Sequence, residues 1–444
     1  MRQRPVVLLT GVERSQGFPS VTAKLFEPLL GRPLASFALE AAGALKPEAL
    51  FFVLRDEDRA APEEWEGMAR SAGSEAPVFL HFGPGRASRA GSATLTALRA
   101  AASALAEYPD RDIVVVPAER PLLRARTLRA FLGVHARKGC ALTFMTAEGD
   151  TGQAGVLAFK SSDVFPVLRS LPASAGDSWP GALVRALARD GKKAGLYECP
   201  DPEELMAVRD RADLAAAAGA LRDRKNMSLA RQGVTVMDPR SAWFDWDVEA
   251  GRGTVVYPFV FVEGASRIGK DCRLYPHVHL KDTRLGDRVH VLSSTVIEAS
   301  TLESDTRVGP FTRLRPHTRV RSGSKVGNFV EMKNTDFGPR SKAMHLSYLG
   351  DSRVEEEVNV GAGTITCNYD GVTKSPTVIE AGAFIGSGTE LVAPVKIGRK
   401  AYVAAGSTIT KDVGAGCLAL ARARQVEKPG WILDKVKDRR SRRG

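Results

Sequence analysis

The chain has 444 residues, 43% of them hydrophobic and 26% charged, the balance of a soluble globular protein with room for two cores and not that of a disordered or membrane-spanning chain. The apolar run before Gly11 is only five residues long, too short for a signal-peptide core, so a cytoplasmic location is expected. Of the formal charge of +12, six units come from residues 421–444, with nine Lys/Arg against three Asp/Glu; a solvated basic tail that meets phosphorylated small molecules is expected there, with no nucleic acid and no membrane as partner.

Residues 1–209 alternate strand-like runs (VVLLT at Val6–Thr10, FFVLR at Phe51–Arg55, VFLHF near Val78, IVVVP at Ile113–Pro117, ALTFMT near Ala141) with alanine-rich helical segments such as PLASFALEAAGAL and GSATLTALRAAASAL. Such alternation predicts an α/β domain with a mostly parallel sheet covered on both faces, whose ligands bind at the carboxyl ends of the strands. Residues 210–233 are rich in Ala, Leu and Arg without an internal proline and predict one linker helix. The following turn-rich stretch carries Trp243 and Trp246, expected to cap the open end of what comes next.

From Val262 aliphatic residues recur every sixth position, through Ile268, Leu274 and Leu280, then with one-residue slips through Leu285, Val291 and Ile297 and through Leu302, Val308, Leu314, Val320, Val326 and Met332. The series resumes at Val354 and Val360 and again from Ile379 to Ile409. A six-residue step is neither helical nor strand-like; it suits a triangular coil with one inward aliphatic per side, a parallel β-helix over residues 234–413. The polar segment TITCNYDGVTKSP is expected to loop out, and the chain to leave the repeat after Val413, with 414–444 a basic tail. Five cysteines without CxxC spacing suggest neither disulfides nor a zinc site.

His345, several cations and an amide-rich loop fall within Arg313–Gly371. The segments RLRP, VGNFVEMK, HLSYLGD, NVGAGTITCNYDG and, later, ELVAPV closely resemble the acetyltransferase half of the bifunctional N-acetylglucosamine-1-phosphate uridyltransferase/glucosamine-1-phosphate acetyltransferase family. The resemblance implies a left-handed parallel β-helix of hexapeptide repeats behind an α/β nucleotidyltransferase-like (Rossmann-like) domain. It also implies a homotrimer with sites between subunits, and acetyl transfer from acetyl-CoA to the amine of glucosamine 1-phosphate for peptidoglycan and lipopolysaccharide precursors.

By that resemblance His345 is the general base, a role that an imidazole titrating near neutrality can fill. Arg315, Lys333, Tyr348, Asn359 and Lys374 match the amino-sugar site, where arginine suits bidentate contact with phosphate and lysine acts as a point charge; Glu331 also matches, for the sugar amine or hydroxyls. Ala362, Asn368, Tyr369, Ser387, Ala405 and Arg422 match the acetyl-CoA site. No metal is expected: His277 and His279 on one strand face, with His290 nearby, would be candidates for the zinc found in some other β-helical enzymes, but the surrounding sequence does not match those.

The N-terminal half departs from the family. Its first strand–helix loop, LLTGVERSQGFPSVTAKLFEPLLGRPL, keeps Lys24 and the LLGRPL ending, but Val12, Glu13 and Arg14 follow Gly11 where a glycine-rich turn cradles phosphate. Ala118 and Glu119 stand where the family carries a magnesium-binding aspartate, and Arg209 where it carries a second ligand, an asparagine. A degenerate domain is expected, with uridylyl transfer lost and Mg²⁺ needed only if the domain is active. A fully bifunctional enzyme, or a non-enzymatic sugar-nucleotide sensor in this half, are the other readings.

Overall fold

The computed structural model describes residues 4–11, 17–19, 24–55, 62–71, 77–82, 93–147, 155–172, 178–433 and 435–436; the Val12, Glu13 and Arg14 positions lie outside them. The chain divides into two compact units, Met1–Lys225 and Asn226–Gly444.

The first unit is built on seven strands, β1 (Val6–Gly11), β2 (Ala49–Arg55), β3 (Val78–Phe82), β4 (Asp112–Pro117), β5 (Leu142–Thr146), β6 (Leu157–Lys160) and β7 (Ala194–Glu198), in the order β3-β2-β1-β4-β6-β5-β7. All pairings are parallel except those of β6, which runs antiparallel to both neighbours. In β1, Val6 and Leu8 join a core with Leu95, Leu98, Val164 and Leu183 from the helices, while Val7 and Leu9 are equally buried on the opposite side. Both faces of the sheet are therefore covered, which is why the strands read as continuous apolar runs. The helices that matter below are α1 (Leu34–Gly43), α2 (Ala93–Leu105) and α3 (Ala125–Lys138).

Helix α4 (Arg211–Arg231) occupies the expected linker, and the unit boundary falls inside it. The Asp210 carboxylate accepts from the Ala212 and Asp213 amides at 2.9 and 2.8 Å, capping the free N–H groups of the first turn. Leu229 in its last turn joins the core of the second unit.

The second unit is a three-faced parallel coil with faces of eleven, ten and nine strands. Every inward aliphatic named from the six-residue period is buried, each contributing about 1.5–3 kcal/mol of burial. The slips have a structural meaning: Val256 pairs with Leu274 and Leu274 with Val291, giving coils of 18 and 17 residues. A 17-residue coil has one side of five residues.

Four expectations need correction. The Trp243 and Trp246 stretch does not cap the coil: Trp243–Phe244 is already a strand paired with Phe261–Val262, Phe244 takes the inward position, and both tryptophans stay half-buried. The repeat is not interrupted between Met332 and Val354, because Phe337, Ala343 and Leu349 fill the inward positions through two five-residue steps. The loop-out is shorter than expected, since Ile365–Cys367 is a strand of the coil with Thr366 turned inward. Finally, Leu418–Ala419 adds a strand beyond Val413 by pairing with Tyr402–Val403.

Candidate active site

His345 ends the strand Lys342–His345, directly beside Asn328 at the end of Lys325–Asn328 in the preceding coil. Gly327 permits this approach, because a Cβ there would come within 1.9 Å of the Met344 carbonyl oxygen; the Gly327 carbonyl itself accepts from the buried Thr312 hydroxyl at 2.6 Å. The Asn328 amide oxygen lies 2.8 Å from His345 Nδ1. That oxygen can only accept, so Nδ1 carries the proton and the lone pair of the neutral ring is left on Nε2, the form a proton acceptor needs.

A line of residues runs from His345 along the same corner of the coil. Each coil puts one residue at this position, just before a residue of positive φ: Asn328 before Phe329, His345 before Leu346, Ala362 before Gly363, Ser387 before Gly388 and Ala405 before Gly406. Gly388 and Gly406 donate their amides to the carbonyls of Ala362 and Ser387 at 2.7 and 2.8 Å. Arg422 closes the line, its guanidinium donating to the Ala405 carbonyl at 2.7 Å. From His345 to Arg422 there are four coil steps, about 19 Å at a strand spacing of about 4.8 Å. The histidine and four of the six residues matched to the acyl donor thus stand in one row, ending on a cation.

Around the corner, on the next face, Arg313–Leu314, Glu331–Lys333 and Tyr348–Gly350 stack in register, so Arg315 and Lys333 occupy the same edge in consecutive coils. Lys374 reaches them from the hairpin that leaves the coil after Cys367. The Lys374 ammonium beside it, reinforced by Arg315, holds Lys333 below the usual lysine range; three cations therefore share a space that an anion would relieve. Arg315 is partly neutralised by Glu331 at 2.9 Å, which places the matched glutamate beside the three cations.

The hairpin is held at its base and its tip. At the base, Asp351 accepts from the side-chain amides of Asn334 at 2.6 Å and Asn368 at 2.5 Å. Burial pushes the Asp351 carboxyl up, but the Asn334 and Asn368 amides together with Lys374 and Lys333 outweigh it and leave the carboxyl below its ordinary value. At the tip, Asp370 accepts from the Val372 and Thr373 amides and the Thr373 hydroxyl at 2.8, 2.6 and 2.8 Å, which lowers its carboxyl to about 2. Gly350 leaves room for the Tyr348 hydroxyl and the Asn368 amide, which a Cβ would meet at 2.5 and 2.8 Å.

Two matched residues are not drawn into either group by a side-chain hydrogen bond among the described residues. Asn359 stands on the face that carries the His345 strand, level with Lys342, and Tyr369, 59% exposed, donates to the Gly371 carbonyl of its own hairpin at 2.5 Å. Asn328, Asn334 and Asp351 were not anticipated. Of the three histidines weighed for zinc, His277 stacks on Phe259 with ring centroids 5.0 Å apart, His279 pairs with Glu263, and His290 lies against Tyr275 with centroids 6.5 Å apart.

In the first unit, Lys24 is withdrawn from solvent at 1% exposure and Glu119 is buried at 3%. Arg209, 74% exposed in its side chain, forms a two-pronged pair with Asp213 at 2.9 and 3.3 Å.

Comparison with known proteins matches both halves. Residues 6–194 fit the family described as MobA-like NTP transferase domain, and residues 376–411 the bacterial transferase hexapeptide (six repeats), the repeat of left-handed β-helices. The "Bifunctional protein GlmU" of Thermotoga maritima is 35% identical over 98% of this chain and all of its own length, and that of Pelobacter propionicus 35% identical over 92% of this chain and 94% of its own. The GlmU of Thermosipho africanus is 50% identical over 53% of this chain and 52% of its own. With both halves matched and relatives aligned from end to end, the chain belongs to the GlmU family, the bifunctional N-acetylglucosamine-1-phosphate uridyltransferases/glucosamine-1-phosphate acetyltransferases.

Proposed function

We propose that this chain transfers acetyl from acetyl-CoA to the amine of glucosamine 1-phosphate, and that its N-terminal half has lost uridylyl transfer. The observation that carries the first part is the row from His345 to Arg422 beside the Arg315, Lys333 and Lys374 cluster. The sugar phosphate sits on the three cations, the acyl donor lies along the corner with Ala362, Ser387 and Ala405 offering small side chains and backbone, and Arg422 meets a phosphate at its far end. His345 Nε2 takes one proton of the sugar ammonium, the freed amine attacks the thioester carbonyl, and the tetrahedral intermediate breaks its C–S bond, the coenzyme A sulfur leaving as the thiol with a second proton from the nitrogen; Asn368 orients the reacting groups and a donor near Ser387 stabilises the developing oxyanion. Holding both reactants in one corner supplies much of the acceleration.

The protein works as a homotrimer in the cytoplasm. The exposed hairpin, with Val372 at 87% and Tyr369 at 59%, and the stacked exposed pair Phe311 and Phe329 support a neighbouring subunit over this edge. Tyr369 and Asn359 then complete the site of an adjacent chain. The product, N-acetylglucosamine 1-phosphate, serves cell-wall and lipopolysaccharide precursor synthesis.

Loss of uridylyl transfer is supported by Ala118 and Glu119 in place of the magnesium-binding aspartate context and by Arg209, an exposed guanidinium where a metal ligand belongs. Retained bifunctionality is favoured by the match to an NTP transferase domain and by the bifunctional relatives. Both half-reactions on the purified protein decide the matter. Acetylation of glucosamine 1-phosphate is expected at enzymatic rates, and Mg²⁺-dependent formation of UDP-N-acetylglucosamine from UTP is expected at background only. A robust second reaction refutes the loss, and absence of the first refutes the acetyltransferase.

A further inference from the structure

The first unit holds a cavity of about 550 Å³ at the amino-terminal edge of its sheet, within the size range of small-molecule sites. It opens beside Pro5, ahead of β1, and beside Asp112, the first residue of β4, with Lys160 opposite Asp112 in the antiparallel register of β6. The nucleotide edge of such a sheet is the other one, at the carboxyl ends, where the Ala118 amide donates to the Thr10 carbonyl at 2.9 Å. This cavity therefore belongs to neither site described above.

His135, in the last turn of α3, is 1% exposed and lines the cavity. Its Nδ1 is satisfied by the Thr143 hydroxyl at 2.7 Å. Its Nε2 has no hydrogen-bond partner; the nearest carboxylate oxygen, of Asp112, is 3.6 Å away, beyond hydrogen-bond reach. A buried polar atom in that state calls for a partner. The Asp112 side chain is 31% exposed on the same wall. The lining also carries the cations Arg4, Arg129 and Lys160 and a second carboxylate, Asp110; Lys160 is the cross-strand partner of Asp112, and Arg129 is fixed by donating to the Ala44 carbonyl at the end of α1 at 2.8 Å.

We propose that this cavity binds a small zwitterion of amino-acid type, its ammonium between Asp112 and His135 Nε2 and its acidic group on the arginine and lysine rim. With Nδ1–H donating to the Thr143 hydroxyl, Nε2 carries the lone pair, and an ammonium can donate to it and to the Asp112 carboxylate together, bridging the 3.6 Å gap, while the guanidinium groups match a carboxylate in two-pronged geometry. A simple anion would be opposed by Asp110 and Asp112, and a simple amine would leave Arg4, Arg129 and Lys160 uncompensated, so recognition needs both charges.

The full-length protein is tested by thermal shift and ligand-observed NMR with L-glutamate, glutarate and propylamine, the last two lacking the amine and the acid respectively. L-Glutamate is expected to bind saturably and raise the melting of the first unit in a concentration-dependent way, with the other two at least tenfold weaker. Asp112→Asn is expected to abolish the effect. Gly133→Leu serves as the blocking variant: Gly133 lines the cavity, a Cβ there meets nothing within 4 Å, and leucine favours the helix, so lost binding does not reflect unfolding. Neither variant touches the acetyl-transfer residues, whose turnover stays unchanged. No saturable binding of L-glutamate, equal binding of glutarate, or binding that survives Gly133→Leu each overturns the proposal.

Discussion

Replacing Asn328 tests whether the ring of His345 is held in one tautomer by its neighbour in the preceding coil. The contact is a single 2.8 Å hydrogen bond to Nδ1. In Asn328→Ala the ring loses that anchor but keeps its place on the strand, and a hydrogen bond of net value about 0.5–1.5 kcal/mol corresponds, at 1.36 kcal/mol per tenfold, to a fall in kcat of about 2- to 13-fold. Asn328→Lys is more severe, since an ammonium cannot accept from Nδ1 and favours the tautomer with its proton on Nε2; a loss on the order of 10²-fold or more is expected, as for removing a positioned base. Asn328→Asp keeps the acceptor and adds a negative charge, so kcat is largely retained while the acid limb of its pH profile moves upward. The assay follows release of the coenzyme A thiol at saturating glucosamine 1-phosphate, with KM measured alongside. A positioning residue changes kcat and leaves both KM values nearly unaltered. If Asn328→Ala shows wild-type kcat and Asn328→Asp an unchanged pH profile, the tautomer argument is wrong.

Other outcomes are equally open to measurement. His345→Ala is expected to lower turnover by about 10²-fold or more with the oligomer and acetyl-CoA binding intact, checked by steady-state kinetics and calorimetry. Lys374→Ala is expected to raise KM for the sugar phosphate about tenfold, the low end for a charge-assisted contact because Lys374 is exposed; it also lets the depressed Lys333 return toward the usual lysine value, which NMR titration detects. Gly350→Ala drives a Cβ into Tyr348 and Asn368, lowering kcat/KM while circular dichroism still shows the coil. Asp370 has its carboxyl lowered from 3.8 to about 2 in the folded hairpin, so its stabilisation is complete above 3.8 and fades as pH falls through about 2. Hydrogen exchange at Val372 and Thr373 is expected to quicken across that window, and Asp370→Asn is expected to remove the pH dependence.

The coil was legible because a six-residue aliphatic period has no common alternative explanation, and each residue it named is buried. It faded between Met332 and Val354 because the sides shorten to five residues and one inward position is only Ala343, and it was cut early at Ile365 because Thr366 fills an inward position with a polar residue. The charged and acyl-donor residues were found through family resemblance. Their polar supports were not, although a signal existed: Asn328 and His345, Asn334 and Asp351, and Asp351 and Asn368 are each 17 residues apart, one short coil. Reading polar residues at the coil spacing, once the slips are noted, would have paired all three. The cavity beside His135 had no sequence signature, because Asp112, His135 and Lys160 come from three different elements.

The hairpin after Cys367 has a bearing on how such a protein can change. Cys367 and Thr377 are both fixed by parallel pairing, to Val392 on one side and to Ser352 and Val395 on the other, so the ladder closes whatever is threaded between them. Lys374 and Asn368 ride on an appendage that the solenoid does not need for its own integrity. Specificity can drift, or be rewritten by grafting a different excursion at this point, while the scaffold keeps its melting behaviour.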